Sequence, residues 1–206
     1  LIAELTDASN LRFELKTKTD LVDHLPSVVD RSSNTVIAFS LNPDRLIVKE
    51  EGTSARIEQR IAAAQRARSD GYRVAFHFDP MIRFPNWETE YRSVVDALTD
   101  FTDPRPEWIS LGTLRYPPSL KRWIEARPYS LDEFLQSRDG KMRYVQPKRT
   151  EMYRLMFAAI EEVMPGTPVY LCMESPSVWR SSGTMTPATR RSVRDVMRPV
   201  DLHMMR

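Results

Sequence analysis

Val36-Ile-Ala-Phe-Ser-Leu41 is a continuous apolar run interrupted only by Ser40. Such a run suits a strand buried on both faces of a parallel sheet. The segments around it alternate between strand and helix patterns. Leu11-Arg-Phe-Glu-Leu-Lys16 alternates as a strand. Asp20 is placed to cap a short helix carrying Leu21, Val22 and Leu25, which Pro26 disturbs. Ser54 caps a longer helix with Ile57, Ile61 and Ala64 on one face and Arg60, Arg66 and Arg68 on others; Gly71 closes it as a left-handed C-cap. Tyr72 to Phe78 is a strand that Asp79-Pro80 ends. Asn86 caps a helix with Glu88 and Glu90 in its first turn, where the helix dipole favours acids, and with a stripe of Tyr91, Val94, Val95 and Leu98.

Trp108 to Leu114 is a fourth strand. Ser119 caps a helix through Leu120, Trp123 and Ile124, and Ser130-Leu-Asp-Glu133 reads as a capping box. Asp139-Gly140 marks a turn. Thr150 opens a helix with Tyr153, Met156, Phe157 and Ile160 inward, stopped by Pro165-Gly166. Val169 to Met173 is a last short strand. After Glu174 the chain turns polar and basic, with Arg190, Arg191, Arg194 and Arg198, and reads as a loosely packed helix or tail. Repeated strand–helix units with short connections imply an α/β fold, mostly parallel strands with outer helices. Four units and a final helix–strand pair are too few to close an eight-stranded barrel and fit a piece of a partial (β/α) barrel.

Composition narrows the function. The sequence has 206 residues, enough for one sizeable domain. No apolar run approaches the roughly 20 residues of a membrane span, and no secretion signal opens the chain. Fifteen prolines against six glycines leave no Gly-rich phosphate cradle. The single cysteine, Cys172, excludes an internal disulfide and any site built from several thiolates of this chain, and a cytoplasmic setting is the default. The first residue is Leu1, so the sequence is expected to start inside a longer reading frame.

In parallel α/β folds ligands collect at the carboxyl ends of strands. Those ends carry Lys16 and Lys18, Ser40 and Asn42, His77 and Asp79, Arg115 and Tyr116, then Cys172 and Glu174. His77, Asp79 and Glu174 are a candidate divalent-metal set, though without a known ligand spacing. Lys141-Met-Arg-Tyr-Val-Gln-Pro-Lys-Arg149 holds four basic residues in nine around Tyr144, a composition suited to phosphates and a stacked base. With a net charge of only +2, nucleic-acid binding must be local.

Phe13-Glu-Leu-Lys-Thr-Lys-Thr-Asp-Leu-Val-Asp-His-Leu25, Ala38-Phe-Ser-Leu-Asn42, Glu51-Gly-Thr-Ser54, Arg60-Ile-Ala-Ala-Ala64, Gly71-Tyr72, Pro80-Met-Ile82 and Trp87-Glu88 follow in order. Leu114-Arg-Tyr-Pro-Pro-Ser-Leu-Lys-Arg122 and Met142-Arg-Tyr144 continue the series. In order and spacing the chain resembles the spore photoproduct lyase family of radical S-adenosylmethionine (SAM) enzymes over residues 11–174. Cys172-Met-Glu-Ser-Pro176 is similar to the wider, non-spore branch. The resemblance implies a partial barrel of radical SAM type and reductive cleavage of SAM on a 4Fe–4S cluster. It implies that a 5′-deoxyadenosyl radical then reverts a thymine dimer in DNA. It implies that Lys18 and Ser40 contact SAM; Asp79, at the carboxyl end of its strand, is expected to join them around one barrel mouth. It implies that Arg143 and Tyr144 sit on a projecting hairpin near a pyrimidine lesion in DNA; Arg115 at its strand end, and Lys148 and Arg149 in the basic segment, are expected to add DNA contacts. The family's Cys-x-x-x-Cys-x-x-Cys cluster loop and its hydrogen-donor cysteine have no counterpart here. The expectation is therefore a C-terminal part of such an enzyme, incomplete at the N-terminus, without a catalytic residue of its own. Residues 1–130 would form barrel units, 131–174 a hairpin with the last helix and strand, and 175–206 a basic extension. Two readings compete: a non-catalytic nucleic-acid-binding α/β module, and a metal-assisted hydrolase using His77, Asp79 and Glu174.

Overall fold

The computed structural model describes residues 13–28, 35–127 and 134–183. Its strands are β1 (Phe13–Thr17), β2 (Thr35–Ser40), β3 (Arg73–Met81), β4 (Ile109–Thr113), β5 (Arg115–Tyr116), β6 (Phe134–Gln136), β7 (Met142–Tyr144) and β8 (Val169–Leu171). Its α-helices are α1 (Leu25–Val28), α2 (Asp44–Glu50), α3 (Ile57–Ser69), α4 (Trp87–Asp96), α5 (Lys121–Glu125), α6 (Gln146–Val163) and α7 (Pro176–Ser181). One sheet runs β1-β2-β3-β4-β8 with every neighbour parallel; a smaller antiparallel sheet runs β5-β7-β6. The smaller sheet takes its first strand at Arg115, ahead of the boundary at residue 130 that the sequence suggests. Among the described residues no helix is long and apolar enough to cross a membrane.

Successive strand residues point to opposite faces, so each parallel strand carries two programmes. Ile37 and Phe39 of β2, Val74, Phe76 and Phe78 of β3, Ile109 and Leu111 of β4, and Val169 and Leu171 of β8 share one core. Ile61, Ala64 and Ala67 of α3, Tyr91, Val94 and Val95 of α4, and Met152, Met156 and Ile160 of α6 complete it. Each large side chain removed from water there contributes about 1.5–3 kcal/mol. Phe76 also meets Phe101 edge-on, with centroids 4.9 Å apart. The opposite face carries a second, small cluster of Val36, Ala38, Ala75 and Trp108, with Tyr170 against it.

Several elements differ from the sequence reading. Pro26 lies in the first turn of α1 and not after a helix, because a missing N–H costs nothing there. Asp44–Glu50 is a helix that the pattern does not announce; only Leu46 and Ile47 of it are buried. β3 runs on through Asp79-Pro80 to Met81 across a register shift. The N-cap of α3 is Arg56, whose N–H donates to the Gln59 side chain at 2.8 Å, while Ser54 serves the residues around Glu51. Asn86 takes a left-handed conformation before α4 without a side-chain cap. α5 likewise has no side-chain cap. α6 begins four residues ahead of Thr150, with Pro147 in its first turn. Gly71 (φ +90°) and Gly140 (φ +78°) hold the turns assigned to them. The Ser130–Glu133 capping box and the arginines from Arg190 to Arg198 lie outside the described residues.

Candidate functional site

The sheet face turned away from α3, α4 and α6 gathers polar groups at the carboxyl ends of its strands. By alternation it receives Glu14 and Lys16 from β1, Ser40 from β2, His77 and Asp79 from β3, Ser110 and Gly112 from β4, Tyr170 from β8 and Cys172 just beyond it. Between β1 and β3, β2 offers that face only Val36, Ala38 and Ser40, so the long Glu14 side chain reaches across to lie against His77 Nε2. The Ser40 hydroxyl is fully buried and has no hydrogen-bond partner in the protein. An orphaned buried hydroxyl costs roughly 1–3 kcal/mol. It marks a position where stability is not what the residue supplies.

Asp79 lies directly over Gly112. A Cβ built at Gly112 would stand 2.5 Å from Asp79 Oδ1, so the missing side chain makes the room that the carboxylate occupies. Asp79 in turn accepts from the Cys172 thiol. Burial first, and then the Asp79 charge, push this thiol up to about 11, against the weaker pull of Arg115 and Lys16. At neutral pH Cys172 is a protonated S–H. Burial also raises the Tyr170 phenol to about 12, with Glu14 and Asp79 adding to the rise.

Lys18 takes another path. It pairs with Glu51 at 2.9 Å, in a cleft of about 200 Å³ lined also by Asn42, Glu50, Ile82, Leu114, Ile124 and Arg127. The convergence of Lys18, Ser40 and Asp79 on a single cavity is thus not found. Ser40 and Asp79 share the polar face, and Glu51 draws Lys18 to the cleft. The anchor is Arg60, expected on an outer face and in fact fully buried. Its guanidinium donates to the Ala55 carbonyl (2.8 Å), the Ser40 carbonyl (2.8 Å), Ser54 Oγ (2.8 Å) and Glu51 Oε2 (2.5 Å). Burial opposes the Glu51 charge, but donors from Arg60, Lys18 and Asn42 outweigh it and hold the carboxyl below its usual range. Asn42 is fixed from its other end by the buried Tyr91 hydroxyl, which donates at 2.9 Å.

The turn at Gly140 does build a hairpin, β6 to β7, but its two named residues part company. Adjacent on one strand, Arg143 and Tyr144 face opposite sides. Tyr144 is fully buried, stacked on Phe134 at 4.4 Å, and its hydroxyl accepts from Arg83 N–H at 3.0 Å. It offers no free ring for a base. Arg143 pairs with Asp139 and donates to the Met173 carbonyl at 3.1 Å. Its cross-strand neighbour is Arg115, which is half-buried and makes no ion pair among the described residues. Arg149 is also engaged: it donates to the Tyr144 carbonyl and, at 2.9 Å, to Glu174. Lys148 is half-buried beside it in the chain. Glu174 accepts a second bond from Tyr153 Oη at 2.9 Å, so it is not assembled with His77 and Asp79. No group of three metal-binding side chains is found among the described residues. Glu14, Ser110 and Tyr170 were not legible as site residues, and only the period-two alternation of their strands points to them; Glu51, the C-cap of α2, has no such pattern to announce it.

A family model for spore photoproduct lyase matches residues 2–169. Curated relatives include spore photoproduct lyases of Clostridium acetobutylicum, 30% identical over 150 residues, and of Geobacillus sp., 28% identical over 180 residues. The alignments take in 66% and 80% of this chain but 43% and 51% of those proteins, so the chain spans about half the length of the curated relatives it matches. A solved spore photoproduct lyase complexed with dinucleoside spore photoproduct superposes with a TM-score of 0.67 at 25% identity, over 83% of this chain and 54% of that one. A mutant with bound AdoMet and the same dinucleoside gives 0.68 at 24% identity over the same shares. The five parallel strands with helices on one face are therefore a stretch of a radical SAM partial barrel, and the chain belongs to the spore photoproduct lyase family.

Proposed function

We propose that this chain supplies the SAM- and lesion-facing wall of a radical SAM DNA photoproduct lyase acting on a pyrimidine dimer in the cytoplasm. The observation that carries the reading is the buried, unpartnered Ser40 hydroxyl on the polar face of the sheet, at the carboxyl end of its strand. Ser40 and Asp79 would hold SAM from that face, with Lys18 reaching in from the cleft when its Glu51 pairing is exchanged for the SAM carboxylate. Bound there, SAM would supply the adenosyl group that carries the family's hydrogen-abstraction chemistry. The chain's own residues bind, orient and exclude water. Cys172 keeps its proton, and Glu14 braces His77. An iron–sulfur cluster on several thiolates does not fit the residues present, since Cys172 is the single cysteine of the sequence.

Arg115 and Arg143 are cross-strand neighbours on the hairpin sheet; Arg143 is buried and paired with Asp139, while Arg115 is half-buried and makes no ion pair among the described residues. Arg115 is the member suited to a DNA phosphate. Tyr144 and Arg149 support the hairpin from behind, and Lys148 extends the basic surface. On this reading β1 to β4, β8 and the helices packed on them form the barrel wall, and the hairpin sheet β5-β7-β6 is an addition to it.

Equilibrium dialysis of labelled SAM against the purified chain tests the proposal. Ser40→Ala and Asp79→Asn should each weaken binding about tenfold, the worth of one hydrogen bond. Unchanged affinity in both variants, or no SAM bound by the parent, refutes it. The lone cysteine favours a second reading, a nucleic-acid-binding module without catalysis. Oligonucleotide binding in the absence of any SAM binding would select it.

A further inference from the structure

The segment 118–125 leaves none of its residues buried, yet it carries two large apolar side chains. Trp123 is 59% exposed and Leu120 44%. Trp87 and Trp108 are buried and Trp179 is half-buried, so Trp123 is the tryptophan given to solvent. Isolated exposed apolar residues need no explanation, but two on one short helical segment, ringed by cations, form a surface built for contact. The Arg122 guanidinium lies over the Trp123 ring, 5.1 Å from its centroid, and forms no ion pair among the described residues. Lys121 (3.7 Å from Glu125) and Arg127 (3.5 Å from Glu50) flank it as solvent-screened pairs that are readily exchanged for other anions. On its other side the segment closes the Lys18 cleft through Ile124 and Arg127. It follows β5 directly and so stands beside Arg115 on the rim.

We infer that α5 is a nucleic-acid contact, in which one unstacked base lies on the open side of Trp123 while Arg122 and Arg127 take flanking phosphates. This rests on the nucleic-acid part of the proposed function. An aromatic ring backed by a guanidinium, with further cations on both sides, matches a strand that alternates π-faces with negative charge. A lesion can reach the inner face of a barrel only after leaving its stack, and a ring at the rim gives a displaced base somewhere to rest. Tyr144, buried in the hairpin, is not placed to serve this purpose.

The test is titration of the full chain with fluorescein-labelled oligothymidylate about ten nucleotides long, read by anisotropy and by tryptophan emission. The parent should bind with quenching of Trp123. Trp123→Ala should bind roughly 5- to 100-fold more weakly, Trp123→Phe should retain most of the affinity, and neither should show the quench. Arg122→Gln should flatten the salt dependence. Far-UV circular dichroism of each variant should match the parent, as the ring is outside the core. Parent-like affinity in Trp123→Ala overturns the inference and leaves the nucleic-acid reading standing. No binding by any form overturns both. Equal losses in the Phe and Ala variants overturn stacking. Emission that follows protein concentration and not oligonucleotide identifies a contact between two copies of the chain, which also overturns it.

Discussion

The two faces of the five-stranded sheet are made by the same strands and could hardly differ more. Toward the helices, Phe39, Phe76 and Phe78 are completely buried among aliphatic and aromatic neighbours. Toward the other side the same strands present alanine, glycine, serine, histidine and carboxylates, including a hydroxyl with nothing to bond. The first face accounts for the fold. The second leaves hydrogen bonds unmade and charges close together, which a protein tolerates where a ligand will complete them. A period of two keeps the functions apart without a separate domain for each.

The comparison breaks hardest if the faces are exchanged in their response to truncation. Phe76→Ala should cost about 3–5 kcal/mol, and Ser40→Ala, one residue position across the ladder, should cost nothing or stabilise slightly. Urea unfolding of both variants measures the contrast; equal losses would mean that Ser40 is structural. Almost as large is the effect of the buried clasp between Arg60 and Glu51, whose side chain is 6% exposed. Arg60→Met leaves Glu51 charged and buried, for an expected loss of about 3–5 kcal/mol. Because the Glu51 carboxyl is held below its usual range when folded, its stabilisation is present above the unfolded value, about 4.3, and is lost as pH falls through the folded one. The parent should therefore lose stability below about pH 4, and the variant should lose less over that interval. Smaller is the effect of Gly112→Ala. It displaces Asp79 at a cost of about 1–3 kcal/mol and, by moving the carboxylate from the thiol, brings the Cys172 titration down from about 11. The rate of Cys172 alkylation against pH reads that shift directly.

The helix-facing half was largely legible. Tyr91, Val94, Tyr153 and Ile160 follow from periodicity, because a buried stripe repeats along its own element, and Ile37 and Phe39 from the continuous apolar run of their strand. The polar face was legible one residue at a time: Ser40, His77, Asp79 and Cys172 could be placed at strand ends, but not matched with partners. Glu14 meets His77, and Asp79 meets Gly112, across 63 and 33 positions of sequence, and only strand order and register bring them together. Arg60 misled for the same reason. An arginine on a helix reads as a solvent residue until the carbonyls and the carboxylate that surround it come from three other turns of chain. Tyr144 misled because a basic neighbourhood suggested exposure, while its strand alternation already set it opposite Arg143.

Gly112 and Asp79 are coupled in substitution. With no Cβ at 112 the carboxylate fits, and a Cβ added at 112 pushes it aside. A side chain gained at 112 is therefore cheapest once residue 79 has shortened or turned away, and an aspartate at 79 takes this place only while 112 is glycine. A pair of strand positions that looks independent in the sequence thus changes as a pair, and it stands beside the single cysteine of the chain.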